Sequence, residues 1–321
     1  MKYQCPHTKE ILEQCNDCYL GKNGNKYPII DGIVDFLSGG TIDQKDSEVK
    51  EYYENLASVY DDFQYLTFHT FNADEDKVRR DMVSLLEIKS GDRVLETAAG
   101  TGINLKIMDE ILSGNGEITA QDISVGMLKQ AKIKLKEVNT SVNYVISNSN
   151  SLPFGDQYFD STLSFGGISV FSDIKKALEE MVRVTKIGGR IVVGDESLQP
   201  WLKETVYGQI LLNQNKLFAN ELPLKYIPKE ARDVKIRWII GGAYYLIDFT
   251  VGEGEHEANF DYEIPGSRGG THKTRFYGQL EGVTSETKEL ALKAREKLGI
   301  SMHKWLDELV KREAKKVLEN N

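Results

Sequence analysis

Arg93-Val94-Leu95-Glu96-Thr97-Ala98-Ala99-Gly100-Thr101-Gly102 is the stretch on which the reading of this chain turns. A short apolar run ends in an acid and passes into a turn of small residues. That turn lets a backbone approach a ligand closely. A helical stretch from Ile103 to Leu112 follows, and Glu117 to Gln121 reads as a second strand ending at Asp122. A second helix places Met127, Leu128 and Ala131 on one face. Further strands are expected at Asn143–Ile146, Phe159–Phe165 and Arg190–Val193. Between the last two, Ile174, Ala177, Leu178, Met181 and Val182 recur at helical spacing. Strands alternating with helices predict an α/β fold, a parallel sheet with helices on both faces. Ligands of such sheets lie beyond the carboxyl ends of the strands. Asp122, twenty residues after Gly102, is then placed to accept the hydroxyls of a ribose. The turn and acid alone fit a dinucleotide-binding fold equally well.

The chain has 321 residues, which suggests about two domains. With 40% apolar and 28% charged residues there is ample material for a core, which excludes a mainly disordered chain. No stretch approaches the ~20 apolar residues of a membrane helix, and the N-terminus has no apolar signal-peptide core. A formal charge of −9 argues against a general polyanion binder. Three cysteines cannot make a disulfide framework, so a reducing cytoplasm is the expected setting. Three segments are expected: a head at 1–40, a central domain at 41–265 and a tail at 266–321.

Four motifs in order extend the reading. Val94 to Gly102 resembles motif I of class I S-adenosylmethionine (SAM) methyltransferases, and Asp122-Ile123-Ser124-Val125-Gly126-Met127-Leu128 resembles their acidic loop. Ser151-Leu152-Pro153-Phe154 through Phe159-Asp160 and Arg183-Val184-Thr185-Lys186-Ile187-Gly188-Gly189 are similar to two later family runs. Tyr52-Tyr53, Ala57 and Tyr60-Asp61 resemble the segment that precedes motif I in the ubiquinone/menaquinone-biosynthesis type. The resemblance covers about residues 50–195 and implies a Rossmann-like sheet with SAM as cofactor. Glu96, Ala98, Gly100 and Gly102 would then hold its amino-acid part and Asp122 its ribose. Ile123 and Met127 would flank the adenine, Asn148 would meet the adenine amino group, and Ser149 would offer its backbone N–H. Asn148 stands where the family usually has Asp, and an amide carbonyl can make the same contact without charge. Ala98 replaces the first family glycine and fits only at negative φ. Ile187 replaces the usual proline.

Methyl transfer from a sulfonium needs mainly alignment, with a base only where the acceptor starts protonated. After the fourth strand the chain reads Ser164-Phe165-Gly166-Gly167-Ile168, without the Pro-Pro-Tyr motif of base-amino methyltransferases. Segments 41–75 and 196–265 are rich in aromatics: Tyr60, Phe63, Tyr65, Phe68, Phe71, Trp201, Tyr207, Phe218, Tyr226, Trp238, Tyr244 and Tyr245. They are expected to build a pocket for a small organic acceptor. His69, Glu196 and His256 are its candidate polar groups, and the sequence assigns no catalytic base.

The head resembles a zinc ribbon through Cys5-Pro6-His7 and Tyr27-Pro28-Ile29-Ile30-Asp31-Gly32-Ile33, with a broken metal pattern. Cys15 and Cys18 have chelate spacing, and Cys5, His7, Cys15 and Cys18 can be written as a tetrahedral zinc site. A metal-free ribbon is the alternative. The tail reads as a strand, Thr274 to Leu280, and two helices. Gly299 stops the first helix and Ser301 caps the second. This resembles a ribbon-helix-helix module and implies a homodimer. From 268 to 321 twelve Lys/Arg face eight Asp/Glu. The sequence therefore points to a cytoplasmic methyltransferase of a small molecule, with no nucleic-acid or membrane partner. An rRNA or tRNA methyltransferase and a SAM-sensing DNA-binding regulator are the other two readings, and the overall acidity argues against both.

Overall fold

The computed structural model describes residues 2–22, 24–38, 40, 42–265, 269–277 and 283–319. Met1–Glu255 form one compact unit and His256–Asn321 a second. The strands of the first unit are β1 (Glu13–Gln14), β2 (Cys18–Leu20), β3 (Lys26–Ile30), β4 (Ile33–Asp35), β5 (Arg93–Thr97), β6 (Glu117–Asp122), β7 (Ser141–Ile146), β8 (Phe159–Phe165), β9 (Thr185–Glu196), β10 (Ala231–Ile239) and β11 (Tyr244–Val251). Its helices are α1 (Gln44–Leu56), α2 (Tyr60–Thr70), α3 (Glu75–Ser84), α4 (Ile103–Leu112), α5 (Val125–Lys134), α6 (Ile174–Val184) and α7 (Val206–Gln214).

One sheet runs in the order β1-β2-β3-β4-β7-β6-β5-β8-β9-β11-β10. From β4 through β9 every pairing is parallel, and β11 and β10 close that end antiparallel. β5 lies at the middle and buries four of its five residues, the continuous apolar habit of a strand covered on both faces. Successive side chains alternate across it. Val94 packs with Met108 of α4 and Leu128 of α5, while Leu95 packs with Phe154, Phe159 and Val184 on the other face. The strand and helix order is the α/β arrangement that the sequence predicts.

The head does not stand apart. β4 pairs in parallel with β7, matching Val34 to Val145. Tyr3, Cys5, Tyr19, Tyr27 and Phe36 share a core cluster with Leu95, Val145 and Phe154. Apolar side chains of the head thus cover part of one face of the central sheet.

In the second unit α8 (His272–Tyr277), α9 (Ser285–Leu298) and α10 (Met302–Glu319) follow one another. The strand expected at Thr274–Leu280 is corrected: Thr274 to Tyr277 are helical, and 278–280 lie outside the described residues. Local capping explains it. The Thr274 amide donates to Thr271 Oγ1 at 3.2 Å and the Thr271 amide to Thr274 Oγ1 at 2.8 Å, a reciprocal cap that starts a helix. Gly299, at φ 66°, ends α9, and Ser301 Oγ accepts the Lys304 amide at the start of α10, both as read from the sequence. No described helix is long and apolar enough to cross a membrane.

Candidate active site

One cavity opens at the carboxyl ends of the parallel strands. Glu96, Ala98–Thr101, Asp122, Ile123, Met127, Asn148 and Ser149 line it on one side, and Tyr60, Phe68, Phe165, Glu196, Ile240 and Tyr244 on the other. The turn after β5 sets the first side. Gly100 and Gly102 lie at φ 55° and 76°, and a Cβ added at Gly100 would meet nothing within 4 Å. That emptiness is the close approach the turn offers to a ligand. Gly102 has another reason to be glycine, because a Cβ there would crowd Ala131 and Leu105 at 3.0 and 3.2 Å. Packing thus requires glycine at position 102 whatever the turn holds.

Ala98 contradicts the negative φ required of it, standing at φ 51°. An L-residue in that region costs about 1–2 kcal/mol. The opposite wall accommodates its methyl group: a Cβ built on Gly167 would lie 2.5 Å from Ala98 Cβ. Ala98 and Gly167 therefore fit as a pair, a methyl on one and none on the other.

Asp122 closes β6 and is buried. Oδ2 accepts the Gly100 amide at 2.8 Å and Oδ1 the Ser124 amide at 2.9 Å. Burial raises its pKa, and these N–H groups oppose the rise. Each oxygen keeps a lone pair for a further donor. Glu96 is 1% exposed, and its Oε1 accepts Asn104 Nδ2 at 2.7 Å while Oε2 has no partner. Asn104 in turn accepts from Arg79 Nη1 at 2.9 Å. Desolvation pushes Glu96 up to about 8, against Asn104 and Arg79. A buried oxygen without a donor, beside an open turn, is a receptor for a cation or an N–H group.

Helices α1 and α2 bind to this loop through three acids that the sequence does not single out as site residues. Glu54 Oε2 accepts Ser124 Oγ at 2.6 Å and the Gly126 amide at 2.9 Å, capping α5 a second time. Asp61 accepts Thr101 Oγ1 at 2.6 Å and pairs with Lys134 Nζ at 2.7 Å. Asp46, 4% exposed, accepts Asn148 Nδ2 and Ser172 Oγ, both at 2.6 Å. The sequence offered only a weak signal: acids on helices whose hydrophobic faces are short.

On the other side, Glu196 ends β9 and receives Tyr244 Oη at 3.4 Å. Burial and the neighbouring Asp195 push its carboxyl well above the usual range. Of the three candidate polar groups, Glu196 lines the cavity. His69 is exposed and lies edge-on to Tyr65 at 5.4 Å, and His256 belongs to the second unit. Of the expected aromatics, Tyr60, Phe68 and Tyr244 line the cavity. Phe71 and Phe218 pack behind Tyr244, Tyr226 and Tyr245 join another core, and Trp201 meets Trp238 edge to face.

The four proposed zinc ligands are not brought together. Cys5 is drawn into the core, its sulfur 3.2 Å from Tyr27 Oη, and His7 is exposed. Cys15 and Cys18, expected as thiols, are joined as a disulfide. Among the described residues the one group of three candidate ligand atoms is Cys15, Asp17 and Cys18.

Residues 41–233 match the ubiE/COQ5 methyltransferase family. A demethylmenaquinone methyltransferase of Renibacterium salmoninarum is 32% identical over 189 residues, covering 57% of this chain and 74% of the relative. A ubiquinone/menaquinone biosynthesis C-methyltransferase UbiE of Xanthomonas oryzae pv. oryzae is 37% identical over 152 residues, 44% of this chain and 59% of the relative. The chain spans 60% of the length of the first curated relatives it matches. Among solved structures, a geranyl diphosphate C-methyltransferase from Streptomyces coelicolor aligns with TM-score 0.50 at 10% identity, over 67% of this chain and 100% of that one. At that identity the likeness speaks for the fold alone. The sheet order, the turn after β5 and the matched span agree: this chain belongs to the ubiE/COQ5 methyltransferase family.

Proposed function

We propose that the chain transfers a methyl group from SAM to a ring carbon of a small hydroxylated aromatic acceptor of the quinol class. The observation that carries this reading is one continuous cavity, with a polar cradle at one end and an aromatic floor at the other. The cradle fits the cofactor: Gly100 leaves room, Glu96 Oε2 lacks a donor and Asp122 has lone pairs to spare. Glu96, giving up its proton as the cation arrives, would take the ammonium group, Asp122 the ribose hydroxyls, and Ile123 and Met127 the faces of the base. When bound, SAM supplies an electrophilic methyl on a sulfonium, the carbon–sulfur bond breaking as the ring carbon bonds to the methyl.

The chain's own part is alignment and proton handling. Tyr60, Phe68, Phe165 and Tyr244 press a flat acceptor into place. Glu196 in its charged form would take the hydroxyl proton, which makes the ring carbon electron-rich; the hydrogen on the methylated carbon would then leave as a proton to water, which restores the aromatic ring. Among the described lining residues Arg79 is the single cation, and it is already held by Glu75 and Asn104. Such a wall offers phosphate little to pair with, which disfavours RNA or DNA as the acceptor. The proposal includes a cytoplasmic setting, against which the Cys15–Cys18 disulfide stands. The homodimer expected from a paired tail strand is not carried forward, because Thr274 to Tyr277 are helical. Incubation of the chain with methyl-labelled SAM and a set of naphthohydroquinones and benzohydroquinones tests the reading. Label in the organic extract supports it, and label confined to SAM across the whole set refutes it.

A further inference from the structure

Asn148 and Asp46 form a contact that nothing in the cofactor cradle requires, yet both line the cavity. The Asn148 amide is held at both ends. Its Oδ1 accepts the Asn150 amide at 2.9 Å, and its Nδ2 donates to Asp46 Oδ2 at 2.6 Å. Turning the amide over would set NH2 against an N–H and oxygen against a carboxylate. Asp46 is itself fixed, since Oδ1 accepts the Ser172 amide at 3.1 Å and Oδ2 the Ser172 hydroxyl at 2.6 Å. Ser172 Oγ also receives Asn150 Nδ2 at 2.7 Å, which closes the ring of contacts. An asparagine elsewhere is free to choose its orientation; here the choice is made by a buried carboxylate from α1.

We propose that Asp46 is a positioning residue that locks the Asn148 carbonyl toward the nucleobase, so that the site selects a base edge carrying an amino donor. This rests on the reading of the cavity as a SAM site. On that reading Asp122 takes the ribose, Ile123 and Met127 flank the base, and Asn148, which lines the same cavity, is the polar group for the ring edge. A carbonyl there accepts from the adenine amino group and repels the carbonyl oxygen of hypoxanthine. The negative charge is supplied one residue back, by Asp46, rather than by the residue that meets the base.

The partners make the consequences specific. In Asp46→Asn one oxygen must still receive the Ser172 amide, so the new NH2 faces Asn148 Nδ2. Two donors then oppose each other, and the Asn148 amide turns its NH2 to the base. In Asn148→Asp two carboxylates face each other across the same gap. In the double variant the amide introduced at position 46 donates to the carboxylate introduced at position 148. The other lone pairs of that carboxylate accept the Asn150 amide and the base amino group. The swap restores the polarity that each single change destroys.

Calorimetry of the full chain with S-adenosylhomocysteine and its deaminated analogue S-inosylhomocysteine decides the matter. The wild type is expected to favour the adenosyl ligand on the order of 10- to 100-fold, the reach of one misplaced buried hydrogen bond. Asp46→Asn should reduce that ratio to about unity or invert it, Asn148→Asp should weaken both ligands, and the double variant should regain the wild-type ratio. Circular dichroism checks that each variant is folded, and the ratio of two ligands on one protein is insensitive to a general loosening. An unchanged ratio in Asp46→Asn, or no recovery in the double variant, overturns the proposal. If the wild type binds neither ligand, the cofactor reading itself fails instead.

Discussion

Ala98 and Gly167 face each other across the cavity wall, and their coupling can be measured. Ala98 sits at φ 51° and bears about 1–2 kcal/mol for it. Ala98→Gly removes that cost and adds about 0.4–1 kcal/mol of unfolded-chain entropy, for a net gain of about 0–1.6 kcal/mol. Gly167 lies at φ −131°, ψ −20°, a conformation an alanine tolerates. Its substitution fails for another reason: the new Cβ would fall 2.5 Å from Ala98 Cβ, well inside the contact distance of about 3.5–4 Å. Overpacking of this kind costs about 1–3 kcal/mol. With Ala98 reduced to glycine, the remaining neighbours of that Cβ are Phe171 ring atoms at 3.5 and 3.6 Å, which are ordinary contacts. Gly167→Ala should then be nearly neutral. The two changes are therefore expected to couple by about 1–3 kcal/mol. Urea unfolding of the four proteins, read on the transition of the larger unit, gives the cycle. Equal cost of Gly167→Ala in both backgrounds would refute the paired fit, and destabilisation by Ala98→Gly would refute the strain.

Three further outcomes follow from the site. Glu96 is protonated up to about pH 8 when folded and loses its proton near the ordinary carboxylate value of 4.5 when unfolded. The folded chain holds the extra proton between those values, so Glu96 makes stability fall as pH rises from about 4.5 to 8 and adds no slope above. Glu96→Gln should flatten that part of the urea midpoint against pH, and an identical slope in the variant would contradict it. Glu54→Ala removes two hydrogen bonds between α1 and the start of α5. It should speed S-adenosylhomocysteine dissociation in stopped flow by about 5-fold or more, at a loss of about 1–2 kcal/mol; an unchanged off-rate would show that α1 does not hold the ligand. Glu196, with its raised pKa, should give kcat/KM that climbs with pH above neutrality. Glu196→Gln should lose that limb, and a variant retaining it would remove Glu196 as the base.

The sheet was legible because its signals are local. Phe159–Phe165 and Ile103–Leu112 have the same bounds in structure and sequence, since each is a periodic run bounded by turn residues. The turn at 96–102 and Asp122 lie where a strand end must place them. What escaped the sequence depends on distant partners. Asp46 and Glu54 carry no local signal of a partner, and Asp61 stands in the family-like segment without a role, until the fold brings Asn148, Ser124 and Thr101 to them. Ala98 looked forbidden because its neighbour Gly167 lies 69 positions away along the chain. Cys5 was legible as a metal ligand only by type and by the resemblance of the head to a zinc ribbon, whereas its burial against Tyr27 is a property of the assembled core. Thr274 to Leu280 read as the strand of a ribbon-helix-helix pattern. The reciprocal threonine cap, a local signal that was present, decides for a helix.

The central claim is that the cavity beyond β5 and β6 is a SAM site. Calorimetry of S-adenosylhomocysteine with the full chain and with Asp122→Ala tests it most directly. The account predicts one site in the wild type. It predicts a loss of about 1–3 kcal/mol, roughly 5- to 150-fold in Kd, when the carboxylate that anchors the Gly100 and Ser124 amides is removed. Full affinity in Asp122→Ala, or no binding to the wild type, would contradict it.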